Sequence, residues 1–163
     1  MYLDTVKQNT FNPMYSREEA KKIRNEFWEK FKNYSSGKRK RAGKPAKWIM
    51  DATGNKAINL KFYFDNSVAL VGLDIETSNL DKRIGLFEKL ESLKKILDET
   101  MGIEMIRELD YTRENGKSIS RIYTSINDVG IYNKESWPAV IEFFYLKMSK
   151  LEDFYLEYKD YLL

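Results

Sequence analysis

The side chains able to do chemistry in this chain are carboxylates, lysines, tyrosines and serines. Its 163 residues include no cysteine and no histidine, which excludes disulfides, thiolate or imidazole metal ligands, a thiol nucleophile and a histidine general base. A catalytic site would therefore need paired acids, a lysine or a hard metal ion held by carboxylates. The sequence has no glycine-rich phosphate loop, catalytic triad or metal-ligand cluster, so we expect no cofactor.

One pair of acids has a spacing that suits a metal ion. Asp74 and Glu76 lie two residues apart in a predicted strand, so both carboxylates share a face. A restriction-type nuclease surrounds Mg²⁺ with such acids and adds a lysine in an acidic-x-Lys triplet. Here Thr77 follows Glu76, and only Lys61 on the neighbouring predicted strand would substitute. The favoured interpretation is that Asp74 and Glu76 are solvated acids at the end of a strand. A degenerate Mg²⁺-dependent nuclease is a minor alternative.

A second candidate site is a run of positive charge, here called the basic strap. Residues 30–50 include eight basic and no acidic residues. The rest of the chain contains the other 20 of the 28 basic residues and all 25 acidic residues, so it is mildly acidic. Such asymmetry is typical of chains with a nucleic-acid or other polyanionic partner. The alternative is a solvated loop that only balances an acidic body. The candidate nucleic-acid contacts, with two aromatic residues that would stack on bases, are Lys38, Arg39, Lys40, Arg41, Lys44, Lys47, Trp48, Lys61 and Tyr63.

A helix is predicted immediately before the strap. Ser16 and Glu19 form a capping box, and apolar residues recur at helical spacing from about Arg17 to Tyr34. The run Ser35-Ser36-Gly37 is expected to end this helix, leaving the strap as a loop up to Pro45. Residues 1–13 lack the features of a signal peptide and are expected to form a flexible leader.

The middle of the chain is predicted to form three strands, over about 48–52, 57–64 and 67–76. A two-residue turn at Asp65-Asn66 places Phe64 opposite Ser67 and gathers apolar residues of both strands on one face. The opposite face is too apolar for a purely solvated surface. It is expected either to be covered by a helix of the same chain or to form a partner surface.

Two helices and a hairpin are predicted in the second half. The first helix spans about 79–100, with Gly102 just after its end. Asn115-Gly116 predicts a hairpin that pairs Asp110 with Arg121. The last helix begins near Lys134 and has an apolar seam too long for one small sheet to cover, which favours a homodimer. The candidate interface residues are Trp48, Met50, Val68, Leu70, Trp137, Phe144, Tyr155 and Tyr158.

The predicted fold class is α+β, in a single domain over 14–163. Its element order is α-β-β-β-α-β-β-α, with an antiparallel sheet of about five strands, three helices and a long C-terminal helix. This order is similar to that of small secretion-chaperone-type homodimers, although a shared fold does not assign a function.

Several short motifs resemble one bacterial family, the domain of unknown function numbered 4268, over residues 14–163. They are residues 14–20 (MYSREEA), Phe27-Trp28, 115–117 (NGK), 120–123 (SRIY) and 133–138 (NKESWP). Members of this family occur alone or attached to nuclease-like domains. The resemblance implies an accessory role near nucleic acid and supplies no catalytic motif.

The sequence therefore predicts a non-enzymatic binding module, accessory to a nucleic-acid-directed system of the nuclease or defence type. The alternative is a protein–protein adaptor with secretion-chaperone-like architecture, in which the strap is incidental. Nucleic acid, a protein partner and a second copy of the chain are the expected partners. No segment is apolar enough to suggest a membrane partner, and a cysteine-free chain fits the reducing cytoplasm.

Overall fold

The first helix begins at the predicted capping box. In the computed structural model, which describes residues 14–113 and 115–163, helix α1 spans Arg17–Arg41. The Glu19 amide donates to the Ser16 hydroxyl at 3.1 Å, and the Ser16 amide donates to the Glu19 carboxylate at 3.2 Å. The hydrogen bonds with Ser16 hold the pKa of Glu19 below its ordinary value. The expected leader, residues 1–13, lies outside the described residues.

Helix α1 continues past the residues expected to end it. The hydroxyls of Ser35 and Ser36 donate to backbone carbonyls three residues earlier, each at 3.3 Å, so both serines satisfy their polar groups within the helix. The last turn then contains Lys38 through Arg41, where positive charge is favourable beside the exposed carbonyls. The prediction of a loop from Ser35 onward is therefore wrong as far as Arg41.

The described residues contain four strands in one antiparallel sheet, with the order β1-β2-β4-β3. The strands are β1 (Ile58–Phe64), β2 (Val68–Ile75), β3 (Ile106–Thr112) and β4 (Ser118–Asn127). The α+β prediction is confirmed, although the sheet has four strands where about five were expected.

The missing strand is the one predicted over residues 48–52. These residues include a turn in which Met50 has a positive φ of 44°. The segment still gives β1 one strand-like bond, because the Leu60 amide donates to the Met50 carbonyl at 2.9 Å. A positive φ interrupts an extended backbone, so the segment does not continue as a strand.

The β1–β2 hairpin has the predicted faces but a different register. The Asp65 amide donates to the Val68 carbonyl at 3.0 Å, so the two-residue turn is Asn66-Ser67 and the predicted Phe64–Ser67 pair is wrong. The Asp65 carboxylate accepts from the amides of Ser67 and Val68 at 2.8 and 2.9 Å, which fixes this turn. The shift is two residues, so the same apolar side chains of β1 still face the core.

The second predicted helix is two helices. Helix α2 spans Leu80–Ser92 and helix α3 spans Lys94–Met101, separated at Leu93, whose φ and ψ are −100° and 8°. Gly102 follows α3 with a φ of 72°, as predicted for a residue that ends a helix in the left-handed region.

The β3–β4 hairpin contains a bulge that the sequence does not predict. Thr112 lies opposite Ser118, but beyond an irregularity between residues 108 and 111 Glu108 lies opposite Arg121. The predicted pairing of Asp110 with Arg121 is therefore wrong. The pair Thr112–Ser118 already differs by one residue from the register of a two-residue Asn115-Gly116 turn, and the bulge shifts the later pairs by one more. Asp110 instead forms an ion pair with Arg83 at 2.9 Å.

The last helix, α4, spans Trp137–Tyr158 and follows a short 3₁₀ turn at Lys134–Ser136. A second 3₁₀ turn, Lys159–Leu162, follows it. At 1.5 Å per residue, its 22 residues extend about 33 Å. The long C-terminal helix is confirmed.

The chain forms two compact units, described here separately. Of the described residues, the first unit comprises 14–48, 63–69 and 125–145, and the second comprises 49–62, 70–113, 115–124 and 146–163. In the first unit, the ring of Phe27 contacts Phe64 and Trp137, and Trp28 stacks on Phe144. In the second unit, the Tyr155 hydroxyl donates to the Thr53 carbonyl at 2.9 Å within a buried aliphatic core. That residues 14–163 form one domain stays a prediction.

Candidate functional site

Arg39 in the basic strap is a structural residue. Its side chain is buried in the first unit, with the residue only 1% exposed, and its guanidinium lies 4.0 Å from the centroid of the Trp48 ring. The guanidinium donates to the backbone carbonyls of Pro45 and Lys47 at 2.8 and 3.3 Å. These bonds tie residues 45–48 to helix α1. The prediction that Arg39 contacts phosphate is wrong, because the guanidinium faces the protein.

Lys38 lies among aromatic rings. Its ammonium is 4.8 Å from the centroid of the Tyr145 ring and 5.3 Å from that of Tyr34, and it donates to the Tyr34 hydroxyl at 3.1 Å. Tyr145 meets both Tyr34 and Trp48 edge to face. We call these three residues, Tyr34, Trp48 and Tyr145, the aromatic cluster. Cations held over rings gain from the negative ring face.

Tyr145 is the member of this cluster that sequence reasoning missed. It lies on α4, more than 90 residues away from Trp48 along the chain. Local periodicity places Tyr145 on a flank of its helix but does not reveal which helix it meets. The contact depends on tertiary structure, and no pattern in the sequence indicates it.

Three of the strap cations predicted to contact nucleic acid face solvent. Lys40, Arg41 and Lys47 are exposed and Lys44 is partly buried. Within residues 14–113 and 115–163, no carboxylate forms an ion pair with Lys40, Arg41 or Lys47. We call the strap cations from Lys38 to Lys47, without Arg39, the basic patch; it comprises Lys38, Lys40, Arg41, Lys44 and Lys47.

The two predicted contacts on β1 are placed differently. Lys61 and Tyr63 are both partly buried and share the face of β1 that is turned away from the buried side. The Tyr63 hydroxyl donates to the Asp65 carboxylate at 2.6 Å in the first unit. Lys61 belongs to the second unit. Tyr63 is therefore held at its polar end, and only its ring remains for contact with a ligand.

The second unit contains a group of paired charges around Asp74. This carboxylate is 0% exposed, and it accepts from Arg121 at 2.8 and 3.0 Å and from Arg113 at 3.2 Å. The two bonds to Arg121 engage both carboxylate oxygens, an arrangement that gives a strong and directional pair. The predicted solvated acid at residue 74 is wrong, because guanidinium groups cover it.

Glu76 extends this group toward the hairpin turn. It accepts from Arg113 and from the Lys117 ammonium, each at 2.9 Å. Burial alone would raise the pKa of Glu76, but the bonds to Lys117 and Arg113 hold it below its ordinary value. The lysine beside Glu76 is thus Lys117, where sequence reasoning considered Lys61. We call Asp74, Glu76, Arg113, Lys117 and Arg121 the charged network.

These contacts disfavour a metal ion at Asp74 and Glu76. A divalent cation would have to displace guanidinium and ammonium groups that already occupy the carboxylate oxygens. The described part of the chain has no group of three or more acidic side chains arranged to hold a metal. The nuclease alternative therefore has no geometric support in these residues.

Tyrosines border the charged network. The Arg121 guanidinium lies 4.4 Å from the centroid of the Tyr111 ring. The Tyr123 hydroxyl donates to Glu108 at 2.9 Å, and burial together with this acid raises the pKa of Tyr123 to about 12. A Cβ at Gly72 would come within 2.8 Å of the Tyr123 Cβ. Because glycine has no side chain, position 72 of β2 leaves room for the side chain of Tyr123.

Four of the eight candidate interface residues are buried within one chain. Trp137, Phe144 and Tyr155 are 3%, 0% and 1% exposed, and Leu70 is also buried. The argument that a single chain leaves this seam in water is therefore wrong, because residues of the same chain cover it. The partly exposed members of the predicted interface are Trp48, Met50, Val68 and Tyr158. The homodimer itself stays a prediction.

Comparison with known proteins agrees with the motifs in the sequence. The described chain is an α+β protein with an antiparallel four-stranded sheet and a long C-terminal helix. A family model described as a domain of unknown function, DUF4268, matches residues 23–159. The chain belongs to this family. No curated protein and no solved structure matches it. Among the described residues, no helix is both long enough and apolar enough to span a membrane.

Proposed function

We propose that this chain is a nucleic-acid-binding module that contacts the phosphate backbone through the basic patch. The observation that supports the proposal is the exposure of Lys40, Arg41 and Lys47 without an ion-pair partner among the described carboxylates. Cations without such partners release counterions from nucleic acid when they bind phosphates. Cations already held by acids, such as those of the charged network, gain much less from a phosphate.

The aromatic cluster has few accessible rings on which a base could stack. Arg39 covers one face of the Trp48 ring, and Tyr145 is nearly buried. Tyr34 is 39% exposed, which leaves one accessible ring for a base. Phosphate contacts therefore outweigh stacking, and we expect duplex and single strands to bind with little sequence preference.

The biological setting follows from the family resemblance. A module that contacts phosphates without a catalytic cluster suits an accessory role beside a nuclease or defence-type effector in the cytoplasm. The effector would supply the chemistry, and this chain would supply affinity for the nucleic acid. Sequence-independent contacts of this kind raise the local concentration of a substrate.

The proposal is tested by fluorescence anisotropy with labelled DNA and RNA, single- and double-stranded. The test variant is Lys40→Gln/Arg41→Gln. Its matched control is Lys21→Gln/Lys22→Gln, which removes the same charge from exposed neighbours on the same helix. We expect the test variant to weaken binding about tenfold at low salt, and the control to stay close to wild type.

Equal losses in both variants would mean that overall charge, not the basic patch, carries the affinity. An absence of binding by the wild-type chain at low salt would overturn the proposal and favour the protein–protein adaptor. Circular dichroism of each variant confirms that α1 remains folded.

A further inference from the structure

The chain reverses direction immediately after helix α1. Gly43 has a φ of 75°, in the left-handed region that glycine adopts without strain. The Gly43 amide donates to the Lys40 carbonyl at 3.0 Å, and the Lys44 amide donates to the Arg39 carbonyl at 2.9 Å. This pair of bonds is the Schellman arrangement that ends many helices. The backbone beyond Gly43 therefore leaves the helix and turns back toward its last turn. We call residues 44–48 the return segment.

The side chain of Arg39 holds the return segment. Its guanidinium donates to the carbonyls of Pro45 and Lys47 and lies over the Trp48 ring. A planar guanidinium can donate two separate bonds and stack on a ring at the same time, whereas an ammonium is a compact point charge. Together with the bond that its own carbonyl accepts from the Lys44 amide, Arg39 contacts the return segment from its first residue to its last.

The basic patch is built from two stretches of backbone that Arg39 joins. Lys40 and Arg41 lie in the last turn of α1, and Lys44 and Lys47 lie in the return segment. Ordering a flexible segment on binding costs conformational entropy, which reduces the affinity. A segment that is already held therefore presents its lysines to phosphates at a lower cost than a free one.

We propose that Arg39 is a positioning residue for nucleic acid. It contacts no phosphate itself, and it holds Lys44 and Lys47 next to the last turn of α1, so that both stretches of the basic patch contact one phosphate backbone together. This inference rests on the proposed function and deepens it. A buried arginine then controls an affinity to which its own charge makes no direct contact.

The first test replaces Arg39 without changing the net charge. Arg39→Lys keeps the charge and loses the planar donor group. Its matched control is Arg24→Lys, since Arg24 is also buried on α1 and donates to the Tyr132 hydroxyl at 2.7 Å, away from the basic patch along the helix. In fluorescence anisotropy with duplex DNA at low salt, we expect Arg39→Lys to weaken binding about fivefold and Arg24→Lys to stay close to wild type. Equal losses in the two variants would overturn the proposal, because general loss of stability would then explain both.

A double-mutant cycle shows whether Arg39 acts through the lysines of the return segment. Its variants are Arg39→Lys, Lys44→Gln/Lys47→Gln and the combination of the two. Residues that act through one another give non-additive effects. We expect the combined variant to bind as weakly as Lys44→Gln/Lys47→Gln and no more weakly. Losses that add in the combined variant would overturn the proposal.

The salt dependence of binding gives a readout that a purely structural role does not change. In Arg39→Lys, the slope of log Kobs against log salt concentration should fall in size by about 0.9 for each lysine that no longer reaches a phosphate, although the net charge is unchanged. Trp48→Leu frees the return segment from the other end and should lower the slope in the same way. This second variant carries the test if Arg39→Lys does not fold. A lost base-stacking contact would instead leave the slope unchanged, because stacking releases no counterions, and that result would overturn the proposal.

Backbone order in the free chain separates this inference from nucleic-acid binding itself. Nitrogen-15 relaxation of the Ala46, Lys47 and Trp48 amides reports motion of the return segment on the picosecond-to-nanosecond timescale. We expect lower order parameters in Arg39→Lys than in wild type, and no change in Arg24→Lys. Unchanged order in Arg39→Lys would overturn the positioning role and leave the proposed function intact. A wild-type chain that binds no nucleic acid at low salt would overturn both.

Discussion

The basic patch has five cations and the charged network has three, and the two groups differ in whether carboxylates lie beside them. In the charged network, Arg121 and Arg113 hold the buried carboxylate of Asp74. In the basic patch, Lys40 and Arg41 are exposed and no described carboxylate pairs with them. A count of basic residues along the chain does not separate the two groups. Their availability to a phosphate depends on which acids the fold brings beside them.

A similar contrast holds between two arginines, the buried Arg39 and the partly buried Arg121. Arg121 neutralises a carboxylate, whereas Arg39 donates to backbone carbonyls and lies over an indole ring. Arg39 anchors the segment that follows α1, and Arg121 compensates a buried negative charge. Removing either tests a different kind of stabilisation.

The largest effect is expected at Arg121. Arg121→Met leaves the carboxylate of Asp74 buried with one fewer partner, and removing one member of a buried pair costs about 3–5 kcal/mol in the free energy of unfolding. Urea denaturation measures this loss. Asp74→Asn/Arg121→Met should recover part of it, because the unpaired charge is gone. A double variant that is as unstable as the sum of the two single variants would contradict the pairing.

A smaller loss is expected at Arg39. Arg39→Met removes two hydrogen bonds from a charged donor, and we expect a loss of about 2–3 kcal/mol in the free energy of unfolding. Lys40→Met, the exposed neighbour, should change it by less than about 0.5 kcal/mol. Equal effects at the two positions would show that Arg39 is not the anchor. Urea denaturation of both variants decides this.

The smallest effect concerns the pH dependence of stability. The pKa of Glu76 in the folded chain lies below its ordinary value of 4.5, so the folded state binds fewer protons at this group than the unfolded state. Its contribution is fully present above pH 4.5 and is lost as the pH falls through the folded pKa. The stability advantage of wild type over Glu76→Gln should therefore shrink on acidification.

Urea midpoints at neutral and acidic pH measure this change. Glu88→Gln, an exposed change on α2, should leave the wild-type profile unaltered. A gap between wild type and Glu76→Gln that is independent of pH would contradict the role of Lys117 and Arg113 at this acid.

Local patterns in the sequence predict the elements better than their ends. The capping box at Ser16 and the terminal glycine at Gly102 are both confirmed. The end of α1 was misplaced because Ser35 and Ser36 bond to the helix itself. The hairpin register shifted because the side chain of Asp65 fixes the turn one residue later than expected. Side-chain bonds decide these details, and they do not follow from propensity.

In the charged network, sequence patterns identify the acids but not their partners. The two-residue spacing of Asp74 and Glu76 predicts that they point to one side, and both contact Arg113, although β2 ends at Ile75, before Glu76. The spacing does not identify their partners, because Arg121 lies 47 residues away. A bulge in β3 also shifts the pairing on which that arrangement depends. Long-range register is set by the whole sheet, so the function of these acids could not be foreseen.

The salt dependence of nucleic-acid binding tests the central claim most directly. For duplex DNA, the slope of log Kobs against log salt concentration falls in size by about 0.9 for each lost phosphate contact. The measurement compares wild type, Lys40→Gln/Arg41→Gln, and Lys61→Gln/Lys117→Gln of the second unit. The account predicts a slope smaller by about 1.8 for the first double variant and an unchanged slope for the second. Equal slopes for both variants would contradict the claim that the basic patch alone supplies the phosphate contacts.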